Sequence, residues 1–455
     1  MAAPTLTFLG ATQTVTGSKY LLEHQDTKVL VDCGLFQGFK PLRLRNWAGP
    51  PVSPSSLDAV VLTHAHLDHS GYLPVMVREG MRARVHCSAG TVDLCEILLP
   101  DSGRLHELDA EYANRRGFSR HRPARPLYTE ADAEAALERL KPVSFDEDHK
   151  LAGAMRMRLR RAGHIVGAAS VRIDLGRGAI LFSGDLGRPN DPLMRPPAPR
   201  EASEYLVVES TYGDRRHDPT PPEDALAEVI NRTIARGGSV VIPSFAVGRT
   251  QSILLLVDRL KQERRIADVP VFMDSPMAIA ATAIYQRHAD DHRLSPAECD
   301  RLGRACGIVR EAEDSKALDQ REGPMILISA SGMATGGRVV HHLKKFAPDP
   351  RNTVLFAGFQ AGGTRGAAMI GGAATIKIHG QQVPVEAEVA SLDMLSAHAD
   401  ADEILAWLRT CEVAPKHTFV THGEANAADA LRRRIQDELG WSASAPEHRD
   451  RVELA

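Results

Sequence analysis

Cysteine is scarce in this chain of 455 residues, and its six cysteines include no C-x-x-C pair. Their scatter excludes a disulfide framework and a thiolate-rich structural metal site, so we expect reduced thiols. Long apolar runs are also lacking, and the first residues have neither the charged start nor the apolar centre of a secretory signal. The sequence therefore predicts a cytoplasmic protein that does not enter a membrane.

A strong charge of either sign is lacking too. The formal net charge is -3 at pH 7, which gives no general attraction to polyanions. Any contact with nucleic acid must therefore come from a local basic groove. Hydrophobic residues make up 43% of the chain, and a chain of this length can form two or three domains with separate cores.

Four metal-capable side chains occur within six residues, directly after an apolar run at residues 58–62 that predicts a buried strand. His64 and His66 project to one side of an extended backbone, whereas Asp68 and His69 need a turn before they can face the same way. Imidazole and carboxylate without thiolate suit zinc or a similar ion at a hydrolytic site. The segment can therefore contact two metal ions, and the alternative is a histidine-rich surface loop.

Three further predicted strands each end near a metal-capable residue, namely Asp32, His164 and Asp185. Folds of the α/β class gather their sites at the carboxyl ends of strands, so we expect these side chains to join the histidine-rich segment. Asp32 could orient a ligand histidine through the second ring nitrogen, or it could simply close a strand-end turn.

Strands and helices alternate from residue 223 to residue 357, which predicts a second domain with a parallel sheet covered on both faces. Residues 71–143, by contrast, are expected to be mostly helical. Two loops of the second domain combine glycines and small hydroxyl residues with one arginine each. Backbone amides and arginine there could bind a phosphate, although such loops are also common turns. The candidate residues are Ser244, Arg249, Ser329, Ser331 and Arg338.

Four segments resemble the successive motifs of the metallo-β-lactamase fold: Val31-Asp32-Cys33-Gly34, His64-x-His66-x-Asp68-His69, Gly163-His164 and Gly184-Asp185. That fold is an αββα sandwich with a zinc site at one edge, so the resemblance implies an α/β protein. In two-metal members, the residues that match His64, His66 and His164 bind one zinc ion. Those that match Asp68 and His69 bind the other, and the residue that matches Asp185 bridges both.

Three later segments, which contain Glu209, His398 and His422, resemble the additional motifs of the β-CASP nucleases. In those nucleases a β-CASP domain is inserted into the metallo-β-lactamase fold. The resemblance implies metallo-β-lactamase parts at residues 1–205 and 386–455, with the inserted domain at residues 206–385. It also implies that His422 completes the second zinc site and that His398, paired with Glu209, faces the scissile phosphate. The chain is similar to the group that contains the endonuclease subunit of the cleavage and polyadenylation specificity factor.

The function that this resemblance implies is a zinc-dependent ribonuclease for single-stranded RNA, an endonuclease with 5′ exonuclease action left open. Two zinc ions are the expected cofactors, and a homodimer is left open. The expected catalytic residues are Asp185, His398, Glu209 and Asp32. A histidine held by a carboxylate has a raised pKa and can act as a general acid, which suits His398 beside Glu209.

Two alternatives stay open at this point. One is a metallohydrolase for a small ester or thioester. The inserted domain disfavours this alternative, because a small substrate does not need a second domain to enclose it. The other is an RNA-binding partner subunit that does not cleave, which the complete set of ligand residues disfavours.

Overall fold

The computed structural model describes residues 3–117 and 121–455, which divide into two units. Unit 1 comprises Met1–Asn190, Pro196–Arg216 and His398–Ala455, and unit 2 comprises Asp191–Arg195 and His217–Ala397. The domain boundaries expected from the sequence stay a prediction. All six cysteines are free thiols. No helix in the described ranges is both long enough and apolar enough to traverse a lipid bilayer.

The strands of the described residues are, in chain order, β1 (Thr5–Phe8), β2 (Tyr20–His24), β3 (Thr27–Val31), β4 (Ala59–Val61), β5 (Arg84–Cys87), β6 (Leu140–Pro142), β7 (His149–Lys150), β8 (Arg156–Arg161), β9 (Ala169–Asp174), β10 (Ala179–Phe182), β11 (Tyr205–Val208), β12 (Val240–Pro243), β13 (Val271–Asp274), β14 (Gly307–Ile308), β15 (Ile326–Ser329), β16 (Thr353–Ala357), β17 (Thr375–Ile378), β18 (Gln381–Pro384), β19 (Glu388–Leu392), β20 (His417–Val420), β21 (Ala443–Ser444) and β22 (Arg451–Glu453).

The α-helices of the same residues are α1 (Lys40–Arg45), α2 (Leu67–Ser70), α3 (Leu73–Arg78), α4 (Ala89–Arg116), α5 (Glu130–Leu137), α6 (Pro222–Ala235), α7 (Arg249–Gln262), α8 (Pro276–Arg287), α9 (Pro296–Leu302), α10 (Ala312–Leu318), α11 (Arg338–Phe346), α12 (Arg365–Ile370), α13 (Ala401–Arg409) and α14 (Ala425–Leu439). Short 3₁₀ segments lie at Pro54–Ser56, Ala289–Asp291 and Asp393–Leu395.

Two seven-stranded sheets form the centre of unit 1. One has the order β22-β1-β2-β3-β4-β5-β6, and its pairing is parallel from β3 to β6. The other has the order β21-β20-β11-β10-β9-β8-β7, and its pairing is parallel from β10 to β21. Since side chains alternate between the faces of a strand, each sheet turns one apolar row inward. Phe8 and Val29 of the first sheet thus share a core with Leu159, Ile173 and Phe182 of the second.

Helices cover the outer faces of this pair of sheets. Ile404 of α13 and Leu431 of α14 pack with Leu206 and Val420 of the second sheet. On the other side, α5 packs against α3 and α4, and α4 contacts β6. The order helix, sheet, sheet, helix confirms the predicted αββα sandwich.

Residues 71–143 contain the expected helices α3, α4 and α5, but β5 and β6 interrupt them. The sequence did not predict these two strands. β5 is four residues long and β6 is three, and β6 contains a lysine and a proline. Strands this short and polar carry no alternating apolar pattern, so neighbouring strands rather than local sequence determine their conformation.

Unit 2 contains a six-stranded, all-parallel sheet with the order β14-β13-β15-β12-β16-β19. The central strands β15, β12 and β16 are fully buried, as expected when helices flank both faces, whereas the edge strands β14 and β19 are largely exposed or half-buried. Val339 and Leu343 of α11 pack on one core with Val354 and Phe356, and Leu318 of α10 packs with a second core. The predicted parallel sheet flanked by helices is confirmed, and the antiparallel hairpin of β17 and β18 is an addition to it.

The loop after β3 lies against the loop after β4 with no room for a side chain. The Asp68 carbonyl accepts a hydrogen bond of 2.8 Å from the Ser18 amide, and the Cys33 amide donates to the His69 carbonyl at 2.7 Å. A Cβ atom added to Gly34 would lie 1.5 Å from the Asp68 backbone oxygen. Because glycine has no side chain, it leaves space at position 34 for the backbone of Asp68 and His69.

We predict that Gly34→Ala destabilises unit 1, because the added methyl group must displace the backbone at Asp68. The free energy of unfolding should fall by about 3 kcal/mol, the upper end for overpacking. Gly336→Ala is the matched control, since no atom of residues 3–117 or 121–455 lies within 4 Å of a Cβ added there. Thermal unfolding followed by circular dichroism measures both variants. Equal melting temperatures would show that the loop yields without cost.

Candidate metal centre

Seven metal-capable side chains of unit 1 meet where four strands of its two sheets end. His64 and His66 follow β4, and Asp68 and His69 lie in α2. The remaining three follow β8, β10 and β20, and they are His164, Asp185 and His422. β8, β10 and β20 run in the same direction, so their carboxyl ends share one edge of the sheet. The predicted metal ligands are thus brought together.

Four of these side chains turn one atom each toward a common point. His66 Nδ1 lies 3.1 Å from His64 Nε2 and 3.2 Å from His164 Nε2. Asp185 Oδ2 lies 3.5 Å from His64 Nε2 and 3.6 Å from His164 Nε2. This first donor group therefore consists of three imidazole nitrogens and one carboxylate oxygen.

A second donor group surrounds the other oxygen of the same carboxylate. His69 Nε2 lies 3.1 Å from His422 Nε2, and Asp68 Oδ2 lies 3.3 Å from His422 Nε2. Asp185 Oδ1 is 3.2 Å from His69 Nε2. Asp185 thus faces the first group with Oδ2 and the second group with Oδ1.

These donors fit metal ions. Neighbouring ligand nitrogens of a tetrahedral zinc ion lie about 3.3–3.4 Å apart when the bonds are about 2.0–2.1 Å long. The distances between donor atoms in both groups are close to that value. In addition, Asp185 Oδ1 is buried and, although His69 Nε2 lies 3.2 Å away, it accepts no well-aligned hydrogen bond from the described residues. A buried carboxylate oxygen without a donor is costly unless a cation compensates it.

The protonation states of His64, His66 and Asp185 also suit metal binding. Burial lowers the pKa of His66 to about 4 and that of His64 well below its ordinary value. Both imidazoles are therefore neutral and keep a free lone pair at neutral pH. Burial raises the pKa of Asp185, but His422, His69 and His64 together hold it well below the usual carboxyl value. The bridging carboxylate is accordingly ionised.

Asp32 holds one of the predicted ligands in place. His69 Nδ1 donates to Asp32 Oδ2 at 2.8 Å, which leaves Nε2 directed at the second group. The backbone amide and hydroxyl of Thr63 donate to the same carboxylate at 2.8 and 3.0 Å. Burial lowers the pKa of His69, but Asp185, Asp32 and Asp68 raise it well above its ordinary value. Asp32 is thus in position to fix the orientation of the ring.

Two threonines that sequence reasoning did not single out also contact the ligands. Thr63 Oγ1 lies 3.1 Å from His64 Nδ1, and Thr211 Oγ1 lies 3.1 Å from His422 Nδ1. Each hydroxyl contacts the ring nitrogen that does not point at the donor group. In the sequence, the only signal for these threonines is their position, because Thr63 precedes His64 and Thr211 follows Glu209 by two residues. A hydroxyl residue at the end of a strand does not by itself indicate a functional site.

Glu209 and His398 form a pair beside the first donor group. His398 Nδ1 lies 3.1 Å from both carboxylate oxygens of Glu209, and the Leu186 amide donates to Glu209 Oε1 at 2.6 Å. His398 Nε2 lies 3.9 Å from Asp185 Oδ2, and the side chain is 17% exposed. Burial lowers the pKa of His398, but Glu209 and Asp185 outweigh it and raise the pKa to about 9. The ring is therefore protonated at neutral pH.

The five predicted phosphate-binding residues lie in unit 2. The Ser244 amide donates to the Ser329 carbonyl at 3.0 Å, so these two strand ends are adjacent. Ser329 Oγ donates to the Asp274 carbonyl at 3.0 Å, and Arg338 donates to the Asp274 carboxylate at 2.6 Å. The other two are Arg249, which is buried at the first turn of α7, and Ser331, which lies 3.1 Å from the Thr335 hydroxyl.

Three family models match the chain, and their ranges include every residue of the metal centre. The metallo-beta-lactamase superfamily matches residues 14–263, more than half of the chain. The Beta-Casp domain matches residues 250–369, and the Zn-dependent metallo-hydrolase RNA specificity domain matches residues 382–446.

Several characterised proteins are similar over most of their length. Ribonuclease TTHA0252 of Thermus thermophilus is 36% identical over 94% of this chain and 94% of its own. Transcription termination factor FttA of Methanocaldococcus jannaschii is 30% identical over 95% of this chain and 69% of the factor. An RNase J-like protein of the same organism is 29% identical over 92% of each chain. A solved structure from Enterococcus faecalis, of unknown function, matches both chains fully with a TM-score of 0.54 at 13% identity, which shows the fold alone.

We predict that Asp32→Asn weakens metal binding, because the His69 ring loses the anionic partner of its Nδ1 proton. Asparagine is the suitable replacement, since position 32 has a φ of 58° that asparagine tolerates. Affinity for zinc, measured by competition with a chromophoric chelator, should fall about 10–100-fold. Asp26→Asn, in the exposed turn before β3, is the control. If both variants bind zinc as the wild type does, Asp32 has no part in holding the site.

Proposed function

This chain belongs to the metallo-β-lactamase superfamily and, within it, to the β-CASP nucleases, and from that membership we propose that it is a metal-dependent ribonuclease acting on single-stranded RNA. The relatives named as a ribonuclease and an RNase J-like protein support an RNA-processing nuclease. The observation that carries the proposal is the Asp185 carboxylate, which faces a different donor group with each oxygen while His398 lies beside it.

Two zinc ions are the proposed cofactors. His64, His66, His164 and Asp185 would hold one, and Asp68, His69 and His422, together with the other oxygen of Asp185, would hold the second. Bound zinc supplies a Lewis acid that polarises a phosphoryl oxygen and lowers the pKa of water. The protein contributes a buried, fixed set of donors, with Asp32, Thr63 and Thr211 holding the far sides of the ligand rings.

His398 is the proposed general acid. Glu209 accepts the Nδ1 hydrogen bond, so the Nε2 proton points toward the donor groups, where a scissile phosphate would lie. A raised pKa keeps this proton in place until the 3′ oxygen of the leaving nucleotide needs it. Asp185 and Asp68 are ionised and hold no proton to give. Attack by water then leaves a 3′-hydroxyl on one product and a 5′-phosphate on the other.

The proposed substrate contacts in unit 2 are Ser244, Arg249, Ser329, Ser331 and Arg338. Arg338 also donates to the Val309 carbonyl at 3.2 Å and to the Arg310 carbonyl at 2.6 Å, in addition to Asp274. We therefore infer that Arg338 also shapes its loop, so that the hydroxyls and amides of that loop can contact the phosphates.

The names of the relatives favour RNA over a small ester or thioester, and the complete donor groups favour cleavage over passive binding. Endonuclease action, 5′ exonuclease action, the homodimer and the cytoplasmic location stay predictions from the sequence. Incubating the zinc-loaded protein with RNA labelled at its 5′ end distinguishes the two cleavage modes, since internal products appear only with an endonuclease.

We predict that Asp185→Ala abolishes RNA cleavage and lowers the zinc content, because both donor groups lose an oxygen. Zinc measured by mass spectrometry and cleavage of labelled single-stranded RNA test this. Asp58→Ala is the control, because that carboxylate lies at the exposed start of β4 and accepts only the Lys28 amide among the hydrogen bonds found. Full cleavage by Asp185→Ala would contradict the proposed function.

Two histidine variants separate proton donation from metal binding. His398→Ala should keep its zinc and lose about 10²–10⁴ in turnover, the usual worth of a positioned proton donor. His422→Ala should lose zinc together with activity, because its Nε2 belongs to the second donor group. His417→Ala is the control, since the hydrogen bonds of that ring within the described part of the chain go to Ser442 and Ser444, away from both donor groups. If His398→Ala loses zinc and His422→Ala keeps it, the two roles are exchanged.

A further inference from the structure

A cavity of about 430 Å³ in unit 1 contains no residue of the metal centre. It lies where β6 and β7, the last strands of the two sheets, approach the start of α4. The residues that matter for its chemistry are His86, Ala89, Lys141, Ser144, His149 and Lys150. We call it the sheet-edge pocket. Its size is that of a small-molecule site rather than of a single ion.

His86 is the buried polar group of the sheet-edge pocket. The side chain is 4% exposed, and its Nδ1 has no hydrogen-bond partner among the described residues. Burial, with help from Lys141 and His149, lowers the pKa of His86 to about 4, so the ring is neutral and has one N–H to donate. Nδ1 itself has no accessible surface, so Nε2 is the ring nitrogen that a ligand in the cavity could reach.

Two lysines give the sheet-edge pocket a positive charge. Lys141 is directly opposite His86 in the parallel pairing of β5 and β6, so both side chains are on one face of the sheet. Lys150 belongs to β7, and neither lysine forms an ion pair within the described ranges. Among the residues that the structure describes, no acidic side chain lines the cavity.

Of the three consecutive acids that precede His149, Asp146 and Asp148 are engaged elsewhere, and the exposed Glu147 does not line the cavity. Asp148 accepts from Arg158 at 2.8 Å, and Asp146 pairs with Arg160 at 2.7 Å. Their charges are thus compensated by β8, and the lysine charges of the sheet-edge pocket are not.

The first turn of α4 adds backbone donors. Ala89 is the first residue of this 28-residue helix and lines the cavity. Ser88 Oγ accepts from the Thr91 amide, whereas the first amides of a helix have no carbonyl partner within it. The partial positive charge of a helix N-terminus therefore adds to that of the lysines.

We propose that the sheet-edge pocket binds a small phosphorylated molecule, such as a nucleoside monophosphate. Two ammonium groups, a neutral N–H donor and a helix N-terminus match a phosphate group of charge near −2 better than a carboxylate of charge −1. The cavity is larger than one phosphate group, and Pro142, Val143 and Ala89 offer apolar surface for the remainder of the ligand. Binding here is separate from the proposed cleavage of RNA.

The sheet-edge pocket is joined to the metal centre through one loop. Ser88 Oγ and Thr91 Oγ1 both donate to the Gly167 carbonyl, at 2.6 and 3.1 Å. Gly167 is three residues after the predicted ligand His164. A ligand at the start of α4 would therefore contact the turn that braces this loop.

Isothermal titration calorimetry of the zinc-loaded protein with AMP, adenosine and inorganic phosphate tests the proposal. We expect AMP to bind, inorganic phosphate to bind more weakly, and adenosine to show no binding. The double variant Lys141→Gln/Lys150→Gln should weaken AMP binding about tenfold or more, because each lysine offers a charge-assisted hydrogen bond. Lys344→Gln/Lys345→Gln, which removes two exposed lysines of α11, should leave the affinity unchanged.

A second variant tests the helix start. Ala89→Glu places a carboxylate in the cavity at a position where it also favours the helix, so AMP binding should be lost without a fall in melting temperature. The lysine variant should cleave RNA at the wild-type rate without AMP, which separates this proposal from the proposed function. Equal AMP affinity in wild type and both pocket variants would overturn the proposal, as would an effect of these variants on the binding of RNA alone.

Discussion

The site in unit 1 depends on one constraint, which is that the carboxylate of Asp185 must stay ionised although it is buried. It is nearly inaccessible to water, and burial by itself would force it to take up a proton. The imidazoles of His422, His69 and His64 keep it charged, and they come from two segments that are far apart in the chain. A buried charge with one partner removed is far less stable than the complete set. The strands that deliver those partners must therefore end within a few ångströms of one another.

The sheets meet this requirement because the strands that carry the partners run in the same direction. Sharp turns at the strand ends then bring the side chains toward the site. β8, β10, β11 and β20 run the same way, so His164, Asp185, Glu209 and His422 emerge at one edge. Asp32 and His422 turn there with positive φ angles of 58° and 49°. Such conformations cost about 1–3 kcal/mol each in residues with a side chain. The three hydrogen bonds to Asp32 and the 2.7 Å bond from the His422 amide to the Ala11 carbonyl offset that cost.

The sequence predicts an element correctly where its local pattern agrees with the tertiary contacts that the fold requires there. The strands before His64 and Asp185 are apolar runs, and the ligands follow them at spacings that few other sites use. It failed at β5, β6 and the hairpin of β17 and β18, which are short or partly exposed and owe their conformation to neighbours. Nor could it tell which oxygen of Asp185 faces which donor group, because that depends on side-chain angles set by the whole site.

Arg338 shows how a buried carboxylate affects the interpretation of a sequence motif. An arginine in a loop rich in glycine and serine predicts a phosphate contact. In the folded chain, however, Asp274 is fully buried. Leaving its carboxylate without partners would cost more free energy than leaving an exposed loop without a cation. Arg338, His342 and Ser315 all bind that carboxylate, and their hydrogen bonds hold its pKa below the usual value against the effect of burial. The sequence places Asp274 64 positions before Arg338, at the end of another strand, so only the fold can show that the two meet.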